Sequence, residues 1–243
     1  MTIPRAQQAA LNNASWCDAV CSAHARPGCF DDGLWWHGGP VPRFYPNVVT
    51  LEAVPADVMA RVEALLATRH AAAWSLKDSF ACLDLGALEC RELFAARWLW
   101  RAPVSTDAQA PISPRWRRVT EAAELIDWER AWAAGSPPAE RVFLPPLLND
   151  ASNAVIAFER DDKVVAGVMA HRAAGVVGVT NLFVPDEDAD RYRRACLDAA
   201  AAVFPGLPLV CYEIDAEALL FERLGFESVG RLRVWIRDAR RVA

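Results

Sequence analysis

The chain has 243 residues, of which 53% are hydrophobic and 23% charged, and this balance is typical of a globular protein rather than a disordered one. Its 31 acidic and 26 basic residues give a formal net charge of −5, which offers no electrostatic reason to bind nucleic acid or an anionic membrane. The apolar runs are too short to span a bilayer and the first residues lack the apolar core of a secretion signal, so we expect a cytoplasmic protein without nucleic-acid or membrane partners.

Among the seven cysteines, three lie close together with a histidine: Cys17, Cys21, His24 and Cys29. Thiolates and imidazoles are zinc ligands, so this cluster is a candidate metal site. However, its spacing matches no standard zinc finger. Cys17 and Cys21 are also one helical turn apart, as packing on one face of a helix requires. We therefore favour a packed helix and predict no metal site.

The N-terminal half alternates helical and strand-like segments around a long loop. The pattern predicts helices at 12–25, 56–68 and 88–100, strands at 48–51, 72–76 and 79–85, and a loop rich in Gly, Pro and aromatic residues at 26–46. The aromatic side chains either line an acceptor pocket or form core packing: Trp35, Trp36, Tyr45 and Trp74. Three charged residues interrupt apolar strands and so face either a cleft or water: Lys77, Asp78 and Asp84.

Residues 105–115 are rich in Pro, Ser and Thr, and we predict that they link residues 1–104 to residues 116–243. The second part has a denser pattern. It predicts helices at 120–134, 139–148, 188–203 and 215–224, and strands at 153–160, 163–171, 176–184, 208–214 and 228–237. The tight connections between the first three of these strands indicate an antiparallel meander.

Three segments of the second part resemble the GNAT superfamily of acyl-CoA-dependent N-acyltransferases. Residues 154–168 resemble the family's second and third strands, residues 177–185 its fourth strand, and residues 221–230 its helix-to-strand signature. The resemblance implies a fold of the α/β class, with a central mixed, mostly antiparallel sheet flanked by helices over residues 116–243. Residues 1–104 echo the pattern faintly and are either a diverged second GNAT-like unit, which would make tandem halves, or an unrelated cap domain.

In this family the fourth and fifth strands splay apart and bind the pantetheine arm, and the N-terminus of the next helix holds the CoA pyrophosphate. The resemblance thus implies acetyl-CoA or another acyl-CoA as co-substrate and a small amine or amino-acid-like molecule as acceptor. The cofactor-binding residues that it implies are Leu182, Phe183, Val184, Arg191, Arg193 and Arg194. A homodimer is compatible with exposed strand edges.

Two positions depart from the family's pattern. Arg194 stands where the pyrophosphate loop normally has Gly, close to the four acids within residues 186–190. Phe221 stands where many members carry a tyrosine that protonates the leaving thiolate, and a phenyl ring cannot donate a proton. The alternative function is therefore a catalytically inactive GNAT-like protein that binds acyl-CoA, another ligand or a protein partner.

For an active enzyme, other residues must carry the proton transfers. We assign the acid to Tyr212, with Cys211 as a second choice, and the base to Glu213 or His171. A backbone N–H of the strand at 176–184 would polarise the thioester carbonyl. Each of these side chains has a structural alternative, in which it packs in the core, caps a helix or lies on the surface.

Overall fold

The computed structural model describes residues 3–31, 33–53, 55–68, 73–103, 114–135 and 139–238. Within these residues, eleven strands form one sheet with six α-helices around it. The helices are α1 (Arg5–Ala23), α2 (Pro55–Ala67), α3 (Ala122–Trp132), α4 (Pro146–Asn149), α5 (Ala189–Val203) and α6 (Asp215–Glu222). The strands are β1 (Cys29–Asp31), β2 (Leu34–Trp36), β3 (Val48–Thr50), β4 (Trp74–Asp78), β5 (Arg91–Arg101), β6 (Trp116–Arg118), β7 (Asn153–Arg160), β8 (Lys163–Ala173), β9 (Val176–Phe183), β10 (Leu209–Glu213) and β11 (Glu227–Arg237).

The sheet is mixed and has helices on both faces. Its strand order is β1-β2-β3-β4-β11-β5-β10-β9-β8-β7-β6, and among these neighbours only β3–β4 and β9–β10 run parallel. On one face, α5 packs on side chains such as Ile156 and Val177. On the other face, α1 and α3 pack on side chains such as Val155, Val176 and Val210. This is the mixed α/β architecture, flanked by helices, that the sequence predicted.

Strand β5 shows that the predicted helix at 88–100 was wrong. It pairs antiparallel with β10 on one side and β11 on the other. Its alternate side chains Ala96, Trp98 and Trp100 pack on the α1 face, whereas Leu99 packs under α5. A strand buried on both faces is a nearly continuous apolar run, which a helical period also fits. As a result, a strand from the first part of the chain lies between two strands from the second part.

Three further segments differ from the prediction. Residues 79–85 are not a strand, because the Asp78 carboxylate accepts a hydrogen bond from the backbone N–H of Leu83 at 2.9 Å and holds a turn. The predicted loop at 26–46 contains β1 and β2. Pro146 begins the short helix α4 instead of ending a helix, since proline is well suited to the first turn.

The cysteine pair of α1 is part of the core. Cys17 and Cys21 are buried against the sheet, and burial raises the pKa of these thiols to about 11 and about 12. The imidazole Nε2 of His24 lies 3.0 Å from the Val142 carbonyl oxygen, and Cys29 is exposed. No group of three or more metal-ligating side chains occurs in the described ranges. The packed-helix interpretation therefore accounts for the pair.

The predicted linker falls largely on residues 104–113, which lie outside the described residues. The division into residues 1–104 and 116–243, and the idea of tandem halves, stay predictions. Within the described part of the chain, no helix is both long and apolar enough to cross a bilayer.

Candidate active site

The parallel strands β9 and β10 diverge after a short ladder. Their pairing comprises two residue pairs, of which Val210–Gly178 is the second. Both strands nevertheless continue, since β10 pairs with β5 as far as Glu213 and β9 pairs with β8 as far as Phe183. The gap between them leaves backbone groups that a closed ladder would have used, so an extended ligand can hydrogen-bond there.

A β-bulge lies in β9 beside this gap. Gly167 of β8 pairs with Phe183, but Met169 pairs with Thr180, so β9 carries one residue too many. Asn181 in the bulge has a φ of 53°. A bulge leaves its extra residue outside the ladder and redirects the local peptide groups. This is the position in β9 at which a backbone N–H can leave the ladder, as the predicted contact with a thioester oxygen requires.

Helix α1 crosses the gap on one face of the sheet. Its residues Asn12, Asn13 and Trp16 line a cavity of about 20 Å³ together with Thr180 and Tyr212. A cavity of that size holds about one water molecule. In this conformation the α1 face of the gap is therefore almost closed.

Asn12 attaches α1 to the strands at the gap. Its Nδ2 donates a hydrogen bond to the carbonyl oxygen of His171 at 2.9 Å, and it lies 3.3 Å from that of Ala173 and 3.4 Å from that of Val176. Gly178 permits this close approach, because a Cβ at that position would lie 1.9 Å from Asn12 Oδ1. The contact fixes α1 to β8 and β9 where the gap opens.

Tyr212 borders the cavity on the α1 face. Its ring meets the Trp98 ring edge to face, with the centroids 5.4 Å apart. The Nζ of Lys77 lies 4.1 Å from the centroid of the Tyr212 ring and donates a hydrogen bond to Asn13 Oδ1 at 2.8 Å. The charge of Lys77, which interrupts an apolar strand, thus faces the interior of the site rather than water.

Glu213 lies at the end of β10, and its side chain lies on the α5 face of the sheet, opposite that of Tyr212. Burial raises the pKa of its carboxyl to about 7, and the charge of Glu217 adds to the rise while Arg193 opposes it. Consecutive strand residues point to opposite faces, so Tyr212 faces α1 whereas Glu213 faces α5. A carboxyl that is half ionised at neutral pH is suited to accept a proton.

His171 is buried in the wall of the same cavity. Its Nδ1 lies 2.7 Å from Asn153 Oδ1, and its Nε2 lies 2.9 Å from Ser15 Oγ. Burial lowers the pKa of the imidazole to about 4, although the charge of Asp150 opposes this. A role as base would require release from one of these contacts, so it stays a prediction and Glu213 is better placed.

The last part of β9 has both buried and accessible surface. Leu182 and Val184 are half-buried against the core under α5. Phe183 points to the opposite face, where its ring lies edge to face with Trp128 at a centroid distance of 5.2 Å. The side chains of Leu182, Phe183 and Val184 pack on the two faces of the sheet beside the gap. Any contact of these residues with a pantetheine arm would therefore come from their backbone.

The three predicted arginines lie in the first two turns of α5. The residue before the helix, Asp188, has a φ of 62° and its side chain makes no capping hydrogen bond. Arg193 Nη1 pairs with Asp190 at 2.7 Å, whereas Arg191 and Arg194 are exposed. Asp188 therefore does not cap α5 through its side chain, and Asp190 in the first turn of the helix pairs with a predicted ligand arginine.

Phe221 belongs to the core. Its side chain is 3% exposed, and its ring lies 5.5 Å from that of Phe226. Gly225, with a φ of 88°, turns the chain from α6 into β11. The helix-to-strand segment has the predicted shape, and it places no hydroxyl at the gap.

Sequence reasoning missed the contribution of α1. Asn12 and Asn13 are two amides on the inner side of a helix that is otherwise largely apolar there, and such an interruption is the signal that could have identified them. The aromatic residues considered for a pocket are mostly core: Trp35 and Trp74 are buried, and the hydroxyl of Tyr45 accepts a hydrogen bond from Trp16 at 3.0 Å.

Comparison with known proteins shows the fold. No protein-family profile and no curated protein matches the sequence. A GCN5-related N-acetyltransferase from Kribbella flavida is 15% identical, with a TM-score of 0.62 over 99% of this chain and 98% of that one. A conserved protein of unknown function from Staphylococcus epidermidis is 10% identical, with a TM-score of 0.59 over 88% and 95%. A GCN5-related N-acetyltransferase from Sphaerobacter thermophilus is 10% identical, with a TM-score of 0.52 over 79% and 72%.

Identities this low bear on the fold and leave the chemistry open. The likeness to the Kribbella structure extends over nearly the whole chain, including the part that the sequence resemblance did not cover. The chain therefore has the fold of the GNAT superfamily.

Proposed function

We propose that the protein is an acyl-CoA-dependent N-acyltransferase that acts on a small amine. The observation that carries the proposal is the gap between β9 and β10, with the bulge at Asn181 on one side and Tyr212 and Glu213 on the other. A gap of this kind can receive an extended thioester arm while titratable groups border it. The fold shared with solved N-acetyltransferases supports the same reading.

Acyl-CoA would enter as a substrate, with its diphosphate at the N-terminus of α5. The free N–H groups and the positive dipole end of a helix favour an anion there. Arg191 and Arg193 add positive charge, while the acids within residues 186–190 oppose it. Arg193 also pairs with Asp190 at 2.7 Å, so a diphosphate would compete with that carboxylate for its guanidinium.

The chemistry would be direct transfer. The amine nitrogen attacks the thioester carbonyl carbon, so a C–N bond forms and the C–S bond breaks. The amine proton passes to Glu213, directly or through a water molecule, and the thiolate takes a proton from Tyr212 or from water. A backbone N–H at the bulge of β9 stabilises the negative charge on the carbonyl oxygen.

A second candidate is a protein that binds acyl-CoA without transferring the acyl group. Two observations favour it: Phe221 offers no phenol, and α1 leaves space for about one water at the α1 face of the gap. This candidate predicts binding of acyl-CoA and no turnover with any amine.

The first test is calorimetric titration of the protein with acetyl-CoA and with free CoA. An Arg191→Ala/Arg193→Ala variant should lose most of the affinity if the diphosphate lies at α5. The matched control is Arg130→Ala, because Arg130 pairs with Asp127 at 2.7 Å in the same i,i+3 arrangement as Arg193 with Asp190. Failure of the wild type to bind either ligand would overturn both candidates.

Turnover then separates the two candidates. A panel of small amines is incubated with acetyl-CoA, and released CoA is separated by chromatography, because the exposed Cys29 would react with thiol reagents. Acylated product supports the enzyme. Binding without product, over the whole panel, supports the inactive protein.

A further inference from the structure

Lys77 carries a charge that is buried beneath α1 and, among the described residues, has no carboxylate partner. Its side chain is 4% exposed. Its ammonium donates a hydrogen bond to the neutral Asn13 Oδ1 and lies over the Tyr212 ring. No carboxylate of the described residues forms an ion pair with it. A buried ammonium is costly unless an anion accompanies it, so this arrangement needs a reason.

Two other buried charges have an ion-pair partner of opposite sign. The buried carboxylate of Glu129 pairs with Arg141 at 2.8 Å. The buried guanidinium of Arg101 lies 3.3 Å from a carboxylate oxygen of Asp198. Lys77 differs from both, because its partners are an amide and an aromatic face, which stabilise a cation but do not neutralise it.

The side chain of Lys77 is directed toward the gap between β9 and β10. In the sheet, β4 is separated from β10 by β11 and β5. At about 4.8 Å per strand step, the two backbones are roughly 14 Å apart. The ammonium still reaches the ring of Tyr212, so the side chain extends across the sheet face toward the site. Both of its contacts, Asn13 and Tyr212, line the cavity.

We propose that Lys77 binds a carboxylate of the acceptor, and that the acceptor is an amino acid or another amine that carries a carboxylate. The inference rests on the proposed acyltransferase function and names its substrate class. Asn13 holds the ammonium in the free protein, and the incoming carboxylate replaces or joins it through a charge-assisted hydrogen bond.

The faces of the sheet assign this carboxylate to the acceptor. Lys77 lies on the α1 face, with Asn13 and Tyr212. The N-terminus of α5, where the diphosphate would lie, belongs to the opposite face. A group that reaches Lys77 therefore belongs to the acceptor, and α1, which leaves room for about one water molecule here, has to shift to admit it. The other source of a carboxylate is a dicarboxylic acyl group on CoA, and the experiment separates the two.

The test compares the wild type with Lys77→Met and Lys77→Arg. Methionine fills a similar volume without charge, and arginine keeps the charge. Acceptors are offered as pairs of an amino acid and its carboxamide, with acetyl-CoA as donor. In the Met variant, KM for the acids should rise about ten- to a hundred-fold, as expected for a lost hydrogen bond between charged groups, while KM for the amides stays unchanged. The Arg variant should keep the preference for acids.

Two controls make the result decisive. Circular dichroism and acetyl-CoA titration should be the same for the Met variant and the wild type, which shows that the fold and the co-substrate site persist. Equal KM changes for acids and amides, or no preference in the wild type, would overturn the proposal. A dependence on Lys77 that appears only when succinyl-CoA replaces acetyl-CoA would assign the carboxylate to the acyl group and also overturn it.

Calorimetric titration of the same amino acids and amides without acyl-CoA gives a reading that needs no turnover. Acids that bind the wild type and not the Met variant support the carboxylate site even if acyl transfer is never observed. If no acid binds and none is acylated, the site does not exist. Failure of acetyl-CoA to bind, with acid binding intact, would reject the acyltransferase and keep Lys77 as a carboxylate ligand.

Discussion

Tyr212 and Glu213 are adjacent in β10 but serve opposite faces of the sheet. Tyr212 contacts Trp98 and Lys77 beneath α1, whereas Glu213 lies in the field of Arg193 and Glu217 on the α5 side. An acid and a base on consecutive strand residues cannot act from the same side of a substrate. They can act from the two sides of the gap, since the β9–β10 ladder ends before either residue. Substitutions of the two should therefore have separable effects.

Glu213 should set the pH profile of the reaction. Its pKa is about 7, raised by burial and by Glu217, so the form that accepts a proton is present above that pH. We expect kcat/KM to rise as pH increases through about 7 and to level off above it. Glu213→Gln should abolish this rise and lower the rate about a hundred-fold or more. The measurement is kcat/KM from pH 5.5 to 9 for the best acceptor.

Glu217→Gln is the informative companion variant. It removes the like charge that raises the pKa of Glu213, so the midpoint of the profile should move to lower pH while the plateau rate stays the same. A profile whose midpoint is the same in the wild type and in both variants would show that another group titrates.

Tyr212 should affect the chemical step more than binding. It is the phenol at the cavity, and the ring of Phe221 is packed in the core. We expect Tyr212→Phe to lower kcat by about a hundred-fold and to leave the acetyl-CoA affinity unchanged, because the ring still packs on Trp98. Adding Phe221→Tyr should not restore the rate. Rescue by that second change would mean that residue 221 reaches the thiolate and that Tyr212 is not the acid.

Most strands and helices of the second part could be predicted from the sequence, and the reasons are physical. The β7–β8–β9 meander has short turns between apolar runs, and α5 has a clear apolar stripe. Strand β5 could not be predicted in the same way, because Trp98 and Leu99 are buried on opposite faces and no alternation with polar residues remains. Its position between β10 and β11 depends on pairing with residues more than a hundred positions away in the sequence. The local pattern of apolar residues carries no information about such pairing.

The candidate site was predicted only in part, because it too depends on contacts between residues that are far apart in the sequence. Tyr212 and Glu213 follow from the resemblance and their place at the end of a strand, and Lys77 follows from a charge within an apolar run. Asn13 lies on α1, far away in sequence, and its contact with Lys77 exists only because α1 crosses β9 and β5. The bulge at Asn181 arises from the way in which β9 pairs with β8. The sequence of one strand alone does not reveal that register.

His171 should contribute to stability rather than to the pH profile. Burial lowers its pKa to about 4 from an ordinary value of 6.5, so between these pH values the unfolded chain binds a proton that the folded protein does not. Stability should therefore fall as pH drops through this window. In His171→Gln this part of the fall should disappear, and the loss of its hydrogen bonds should cost about 1–3 kcal/mol at pH 7.

Urea unfolding of the wild type and of His171→Gln at pH 4.5 and pH 7 checks this expectation. The difference in unfolding free energy between the two proteins should be smaller at pH 4.5. An unchanged difference would mean that His171 titrates alike in the folded and unfolded chain. Loss of the rise in kcat/KM near pH 7 in this variant would instead identify His171 as the base.

Gly178 should be required for the contact between α1 and β9. A Cβ there would lie 1.9 Å from Asn12 Oδ1, and Asn12 cannot turn away without losing its hydrogen bond to the carbonyl oxygen of His171. We expect Gly178→Ala to destabilise the protein by about 1–3 kcal/mol through overpacking. Asn12→Ala alone should cost a comparable amount, because it removes the buried hydrogen bond from Asn12 Nδ2 to the carbonyl oxygen of His171.

The double variant Asn12→Ala/Gly178→Ala decides whether the two residues act through each other. Truncation of Asn12 removes the atom that the new methyl group meets, so the double variant should be less destabilised than the sum of the single variants. The coupling is measured by urea unfolding of all four proteins. Strict additivity would show that Gly178→Ala acts through the strand backbone, and that the approach of Asn12 to Gly178 does not constrain α1 at the gap.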